Sequence, residues 1–209
     1  MIKHIVFDIG NVLLETNFKG YLRSKIVEDK VENIYMAMFK SEEWPMLDRG
    51  TITEEGAISN IVDRNKEDKE LILSAFDNWY ELLKPIEVSI NVLKQLKENG
   101  YKLYYLSNFH LKAFEYVTKK YEFFKLFDGG VVSYKEKLLK PEVEIYNTLI
   151  NRYGLKKEEV VFIDDTKENV DEAIRLGING IVLENPQCLI KELKKYNINI
   201  WNVYIICST

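Results

Sequence analysis

Four groups of polar residues in this chain stand where they could do chemistry together: Asp8, Ser107-Asn108, Lys140 and Asp164-Asp165. Asp8 ends the apolar run Ile5-Val6-Phe7, which reads as a buried parallel strand. An Asp there can be a nucleophile that forms an acyl phosphate, a hard oxygen ligand for Mg²⁺, or both; a turn-capping Asp is the plainer alternative. Phosphoryl transfer accounts for all four groups at once. A carboxylate nucleophile needs the negative charge of the phosphate masked before it can approach. Asp8 and Asp165 suit direct coordination of Mg²⁺, the Gly10 carbonyl can add an oxygen, and Asp164 can hold a coordinated water. Lys140 supplies a point charge from the other side. The Ser107 hydroxyl and the amides around Asn108 suit the non-bridging oxygens. Each piece alone is weak, since lysine before proline is usually a loop and Ser-Asn after a strand is usually a turn. The joint pattern is specific.

The elements that must position these residues follow from periodicity. After the first strand, Gly10 and Asn11 permit a sharp turn. Residues 17–84 then show only helical spacing, with Ile34, Met38 and Phe39, later Ile58, Ile61 and Val62, and later Leu71, Ile72, Ala75 and Phe76 on apolar faces. Turn signals at Trp44-Pro45 and Arg49-Gly50-Thr51 divide them, and Thr51 or Thr53 before Glu54-Glu55 reads as a helix start. Lys84-Pro85 closes the block. Beyond it the rhythm alternates. Strands are expected near 101–106, 130–133, 160–163 and 180–183, and helices near 88–97, 111–121, 142–153, 169–176 and 186–196. A basic loop is expected at Lys135-Glu136-Lys137. The pattern predicts an α/β fold, a doubly wound, Rossmann-like parallel sheet with right-handed crossovers. Residues 1–16 and 85–209 form that core, and 17–84 form a helical cap inserted after the first strand. The tail at 198–206 reads as an edge strand or packed extension, with a dimer contact as alternative.

Bulk properties narrow the class. With 209 residues, 46% hydrophobic and 30% charged, the chain can bury a proper core and is not disordered. A formal charge of −4 gives no reason to expect nucleic acid as partner. No apolar run approaches the roughly 20 residues that span a bilayer, so no membrane is expected. The first residues lack signal-peptide order, and Cys188 and Cys207 read as reduced thiols. A cytoplasmic protein, monomeric or weakly dimeric, is expected.

The four groups together resemble the haloacid dehalogenase (HAD) superfamily of phosphatases. Its four motifs match Phe7-Asp8-Ile9-Gly10-Asn11-Val12, Leu106-Ser107-Asn108, Lys140-Pro141 and Phe162-Ile163-Asp164-Asp165 with Asn169. The resemblance implies a nucleophilic Asp8, an aspartyl-phosphate intermediate, Mg²⁺ as cofactor and a small phosphorylated metabolite as substrate. It also implies catalytic Lys140, with Ile9, Gly10, Ser107 and Asn108 binding phosphate. The spacing around Asp48-Arg49-Gly50 looks most like the bacterial α-D-glucose-1-phosphate phosphatase branch, which makes a sugar 1-phosphate one form of the substrate.

One residue departs from the common pattern. Most phosphatases of this superfamily carry a second Asp two positions after the nucleophile as general acid/base, and here that position is Gly10. A missing acid costs about 10²–10⁴-fold in rate unless something replaces it. Either the substrate has a good leaving group, as an anomeric phosphate does, or the cap brings a donor, with Asp48 and Glu15 as candidates. Arg49 could reach a phosphate or sugar hydroxyl through its planar fork, or lie on a solvated surface. His110, shortly after Ser107-Asn108, reads as a surface or capping residue with a place facing the site as the alternative, His4 as structural, and Phe39, Trp44, Phe76 and Trp79 as cap core, with Trp44 able to line a pocket. Two further readings compete. One is a 2-haloacid dehalogenase, in which the Asp attacks carbon without a metal; the adjacent pair Asp164-Asp165, which would repel without a cation, argues against it. The other is a catalytically silent interaction protein on the same scaffold.

Overall fold

In the computed structural model, which describes residues 1–198 and 200, five strands form one parallel sheet. They are β1 (His4–Phe7), β2 (Lys102–Ser107), β3 (Gly129–Val132), β4 (Val160–Asp164) and β5 (Asn179–Val182), in the spatial order β3-β2-β1-β4-β5. The chain winds to one side of β1 through β2 and β3, then crosses to the other through β4 and β5. β1 is therefore the switch point, where the carboxyl ends of strands open a crevice. Register sharpens this: Phe7 pairs with Tyr105 on one side and Ile163 on the other. Asp8 thus stands level with Asp164, and its amide donates to the Ile163 carbonyl at 2.8 Å. Ile5, Val6 and Phe7 are all buried because both sheet faces are covered. Ile5 and Phe7 join the larger core, whereas Val6 joins a second one with Leu106, Tyr146 and Phe162.

The helices are α1 (Phe18–Lys25), α2 (Val31–Phe39), α3 (Glu43–Arg49), α4 (Glu54–Arg64), α5 (Lys69–Phe76), α6 (Glu87–Glu98), α7 (Leu111–Lys120), α8 (Ser133–Glu136), α9 (Val143–Tyr153), α10 (Lys167–Arg175) and α11 (Leu189–Lys194). Helices α1–α5, called the cap below, lie between β1 and α6. The two connections run side by side, with the Glu15 amide donating to the Lys84 carbonyl and the Ile86 amide to the Leu13 carbonyl. Asn17 caps α1 by accepting from the Gly20 amide, and Thr53 caps α4 by accepting from Gly56. The cap has no separate core: Ile34, Phe39, Ile72 and Trp79 share one apolar cluster with Phe7 and Val12 of the sheet side.

Three expectations need correction. Trp44-Pro45 is not a turn but the first turn of α3, where proline costs nothing because its missing N–H would have no intrahelical partner. The basic stretch 135–137 is not simply a loop: Lys135 and Glu136 lie in α8, and Lys137 follows with φ 62°. Cys188 is disulfide-bonded, so the reduced-thiol argument for a reducing compartment falls; Cys207 lies outside the described residues. The tail reading also lies outside them, except for the buried Ile198 and Ile200. No helix among the described residues is long and apolar enough to cross a membrane.

Candidate active site

Lys140 is the electrostatic centre of the crevice. Its ammonium lies 2.8 Å from Asp8 Oδ1 and 2.6 Å from Asp164 Oδ2, with the lysine side chain only 1% exposed. Burial pulls the lysine pKa down, but the two carboxylates outweigh it and the net shift is upward, so the side chain stays charged. Asn108 fixes the backbone at this point: its side-chain carbonyl accepts from the Lys140 amide at 2.8 Å and its NH₂ donates to the Lys140 carbonyl at 3.1 Å. Asp164 is fully buried and fully engaged. It accepts from Lys140, from the Thr166 amide at 2.8 Å and from Asn169 Nδ2 at both oxygens.

Asp8 is buried too, and burial raises its carboxyl, to about 7, with Asp164 adding to the rise and Lys140 and the Ser107 hydroxyl opposing it. Asp165, next to this pair, is also shifted upward, by burial first and by Asp164. Asn11 Nδ2 donates to Asp165 Oδ2 at 2.9 Å, and Thr16 donates in turn to Asn11. Carboxylate oxygens of Asp8, Asp164 and Asp165 lie within 4.8 Å of one another. Three acids against one lysine leave an uncompensated negative charge in a poorly solvated crevice. The donors are all hard oxygens, so the set fits a hard divalent cation such as Mg²⁺.

Over these groups sits a cavity of about 180 Å³. Its floor is Asp8, Gly10, Asn108, Lys140 and Asn169, and its roof is largely aromatic, with Phe18, Trp44, Trp79 and Phe109. The rings support one another: Trp44 and Trp79 lie 5.0 Å apart edge to face, and Phe39 stacks on Phe18 at 4.1 Å. Trp79 donates its indole N–H to Glu54. Two polar groups interrupt the roof. Asp48, from the last turn of α3, is raised to about 8 by burial first and by the charge of Asp8, against the pull of Lys140. His110 is 4% exposed and burial lowers it to about 3, so it is a neutral imidazole. Its Nε2 lies 3.2 Å from Asp48 Oδ1 without the alignment of a good hydrogen bond.

The fold thus brings Asp8, Gly10, Asn108, Lys140 and Asp164-Asp165 to one crevice, with Ser107 and Ile9 buried beside Asp8. It leaves two candidates outside. Arg49 does not line the cavity: its guanidinium is taken up by the Glu142 carboxylate and the Lys137 carbonyl, because α3 docks on α8 at that point. Glu15 is exposed and lines a different depression. His110 is not a surface residue, since Trp44 and Trp79 close over it with ring centroids at 4.3 and 5.2 Å. Thr16, Phe18 and Phe109 line the site without any signal in spacing; only the adjacency of Phe109 to Ser107-Asn108 pointed there.

With this geometry in hand, likeness to known proteins is informative. Residues 2–177 match the haloacid dehalogenase-like hydrolase family. The chain is similar to a sesquiterpene phosphatase of Aspergillus oryzae, 26% identical over 194 residues that cover 92% of this chain and 95% of that one. It is also similar to a glyceraldehyde 3-phosphate phosphatase of Methanothermobacter thermautotrophicus, 25% identical over 198 residues, 88% and 87% of the two chains. Among solved structures, an HAD-family enzyme of Bacteroides thetaiotaomicron in complex with magnesium and inorganic phosphate superposes with a TM-score of 0.63 at 25% identity, over 87% of this chain and 93% of that one.

Proposed function

Because the chain belongs to the haloacid dehalogenase-like hydrolases, we propose that it is a Mg²⁺-dependent phosphomonoesterase working through an aspartyl-phosphate on Asp8. One observation carries the reading: Asp8 and Asp164 bridge Lys140 where β1 and β4 end, and the Asp165 carboxylate lies within 4.8 Å of both acids. An Asp8 carboxylate oxygen attacks phosphorus and displaces the ester oxygen; water then attacks phosphorus and frees Asp8. Lys140 offsets charge at Asp8 and Asp164 throughout, and the Ser107 hydroxyl favours the charged form of Asp8. Asp8, Asp165 and the Gly10 carbonyl would hold Mg²⁺, with Asp164 behind them, and the ion supplies charge neutralisation for the phosphoryl oxygens.

The substrate is a small phosphorylated metabolite. A sugar 1-phosphate agrees with the missing acid at Gly10, since an anomeric oxygen leaves readily. The aromatic roof favours a second form, a phosphate ester of a flat or hydrocarbon alcohol, because Phe18, Trp44, Trp79 and Phe109 offer area rather than hydrogen bonds. That reading agrees with the likeness to a sesquiterpene phosphatase. The test is turnover of p-nitrophenyl phosphate, sugar phosphates and prenyl or alkyl phosphates, with Mg²⁺ or with EDTA, by wild type and Asp8→Asn. The variant is expected to be inactive on every ester, and EDTA to silence the wild type. Full activity of Asp8→Asn sinks the nucleophile, and turnover that survives EDTA sinks the cofactor.

A further inference from the structure

With that phosphatase reading as premise, we propose that Asp48, carried to the cavity by the cap, is the catalytic acid that protonates the leaving-group oxygen, and that His110 is the positioning residue that orients its carboxyl. Position 10, two residues after the nucleophile, has no side chain to give a proton. The titratable groups lining the cavity are Asp8, Asp48, His110 and Lys140. Asp8 is the nucleophile. Lys140 bridges two carboxylates that strengthen its hold on its proton. His110 is neutral, and a neutral imidazole N–H is a very weak acid. Asp48 remains, in an environment that keeps a carboxylic acid protonated near neutral pH: burial and the charge of Asp8 both favour the neutral form.

The backbone at Asp48 is built for a fixed position. Its carbonyl accepts from the Ser133 hydroxyl at the start of α8. Gly50, two residues on, ends α3 with φ 69°, and a Cβ there would lie 2.6 Å from the Tyr134 carbonyl oxygen, so only glycine lets α3 approach α8 so closely. Arg49 clamps Glu142, and Lys137 donates to the Gly50 carbonyl. Asp48 belongs to the cap in sequence but is stapled to the core in space. His110 faces it with Nε2 at 3.2 Å, and its own Nδ1 has no partner among the described residues.

The chemistry balances. As an Asp8 oxygen bonds to phosphorus, the bond to the leaving oxygen breaks, its electron pair stays on that oxygen, and the Asp48 proton makes it a neutral alcohol. In the second step water bonds to phosphorus, its proton goes to the Asp48 carboxylate, and the pair of the breaking phosphorus–Asp8 bond returns to Asp8. Ester and water become alcohol and phosphate, and the acid is regenerated.

The test compares Asp48→Asn with wild type on p-nitrophenyl phosphate, whose phenolate needs no proton to leave, and on benzyl phosphate, whose alkoxide does. The kcat/KM for benzyl phosphate is expected to fall about 10²–10⁴-fold, and that for p-nitrophenyl phosphate less than about tenfold. The alkaline limb of the wild-type profile on benzyl phosphate should vanish in Asp48→Asn, and His110→Gln should shift that limb while leaving KM in place. A second variant guards against misfolding: the Cβ of a residue at position 10 would meet only Thr16 Cγ2, at 3.5 Å, so Gly10→Asp can be added to Asp48→Asn. Partial recovery on benzyl phosphate is expected. Equal loss on both esters, or none on either, overturns the proposal while leaving the nucleophile intact. Activity retained by Asp8→Asn would instead strike the reading beneath it.

Discussion

Replacing Lys140 by methionine keeps most of the apolar stem and removes the charge. In the native protein that ammonium lies 2.8 and 2.6 Å from two carboxylates. At an effective dielectric of about 20, each contact is worth roughly 6 kcal/mol of attraction. Much of that is consumed in stripping water from the three groups, so the intact cluster is close to balance. Removal is different, because Asp8 and Asp164 stay buried with no counter-charge. Breaking a buried pair in this way costs about 3–5 kcal/mol, which for a chain of this size lowers Tm by roughly 6–20 °C. Urea unfolding of Lys140→Met in EDTA should show that loss. In excess Mg²⁺ the deficit should shrink, since a cation at Asp8 and Asp165 replaces part of the missing charge. Turnover should fall at least about 10²-fold in either buffer. A variant within about 1 kcal/mol of wild type, and equally stable with and without Mg²⁺, would refute the account of a crevice short of positive charge.

Two further predictions concern residues away from the chemistry. Burial alone would raise the Asp128 carboxyl, but Lys97, the Leu103 amide and Lys102, at 2.7–2.9 Å, hold it at about 2. Its folded pKa lies below the unfolded value, so its stabilisation is complete above about pH 4 and lost as pH falls through 2. Asp128→Asn should therefore cost about 1–2 kcal/mol at pH 7, with the two unfolding curves converging at pH 2. Arg49→Ala removes the bridge to Glu142 and Lys137, and should cost about 1 kcal/mol in unfolding while leaving KM for a phosphomonoester within about twofold. A KM raised about tenfold, worth some 1.4 kcal/mol of binding, would place the guanidinium on substrate instead.

The divergent fates of Arg49 and Asp48 show where linear reading stops. Both sit at one turn signal, where residue type left Arg49 open between a substrate ligand and a solvated surface residue, and made Asp48 a candidate donor. Which of two neighbours faces a cavity depends on the rotation of α3 against α8, set by Gly50 and by the partners Glu142, Lys137 and Ser133, 85–93 positions away. His110 makes the same point: nothing adjacent to it announces that Trp44 and Trp79, from the cap, will close over it.

By itself the sequence determined the sheet, the helical insertion and the acids and lysine of the crevice. Those are local properties: apolar runs of strand length, helical spacing, and polar residues just beyond strands that register then aligns. Only the tertiary structure decided what closes the site from above. The aromatic roof, the neutral histidine and the sheltered Asp48 owe their character to burial, and burial belongs to the packing of cap on core rather than to any stretch of chain. A carboxyl group's proton affinity is set by the water it loses and the charges it meets, and neither is written beside it in the chain.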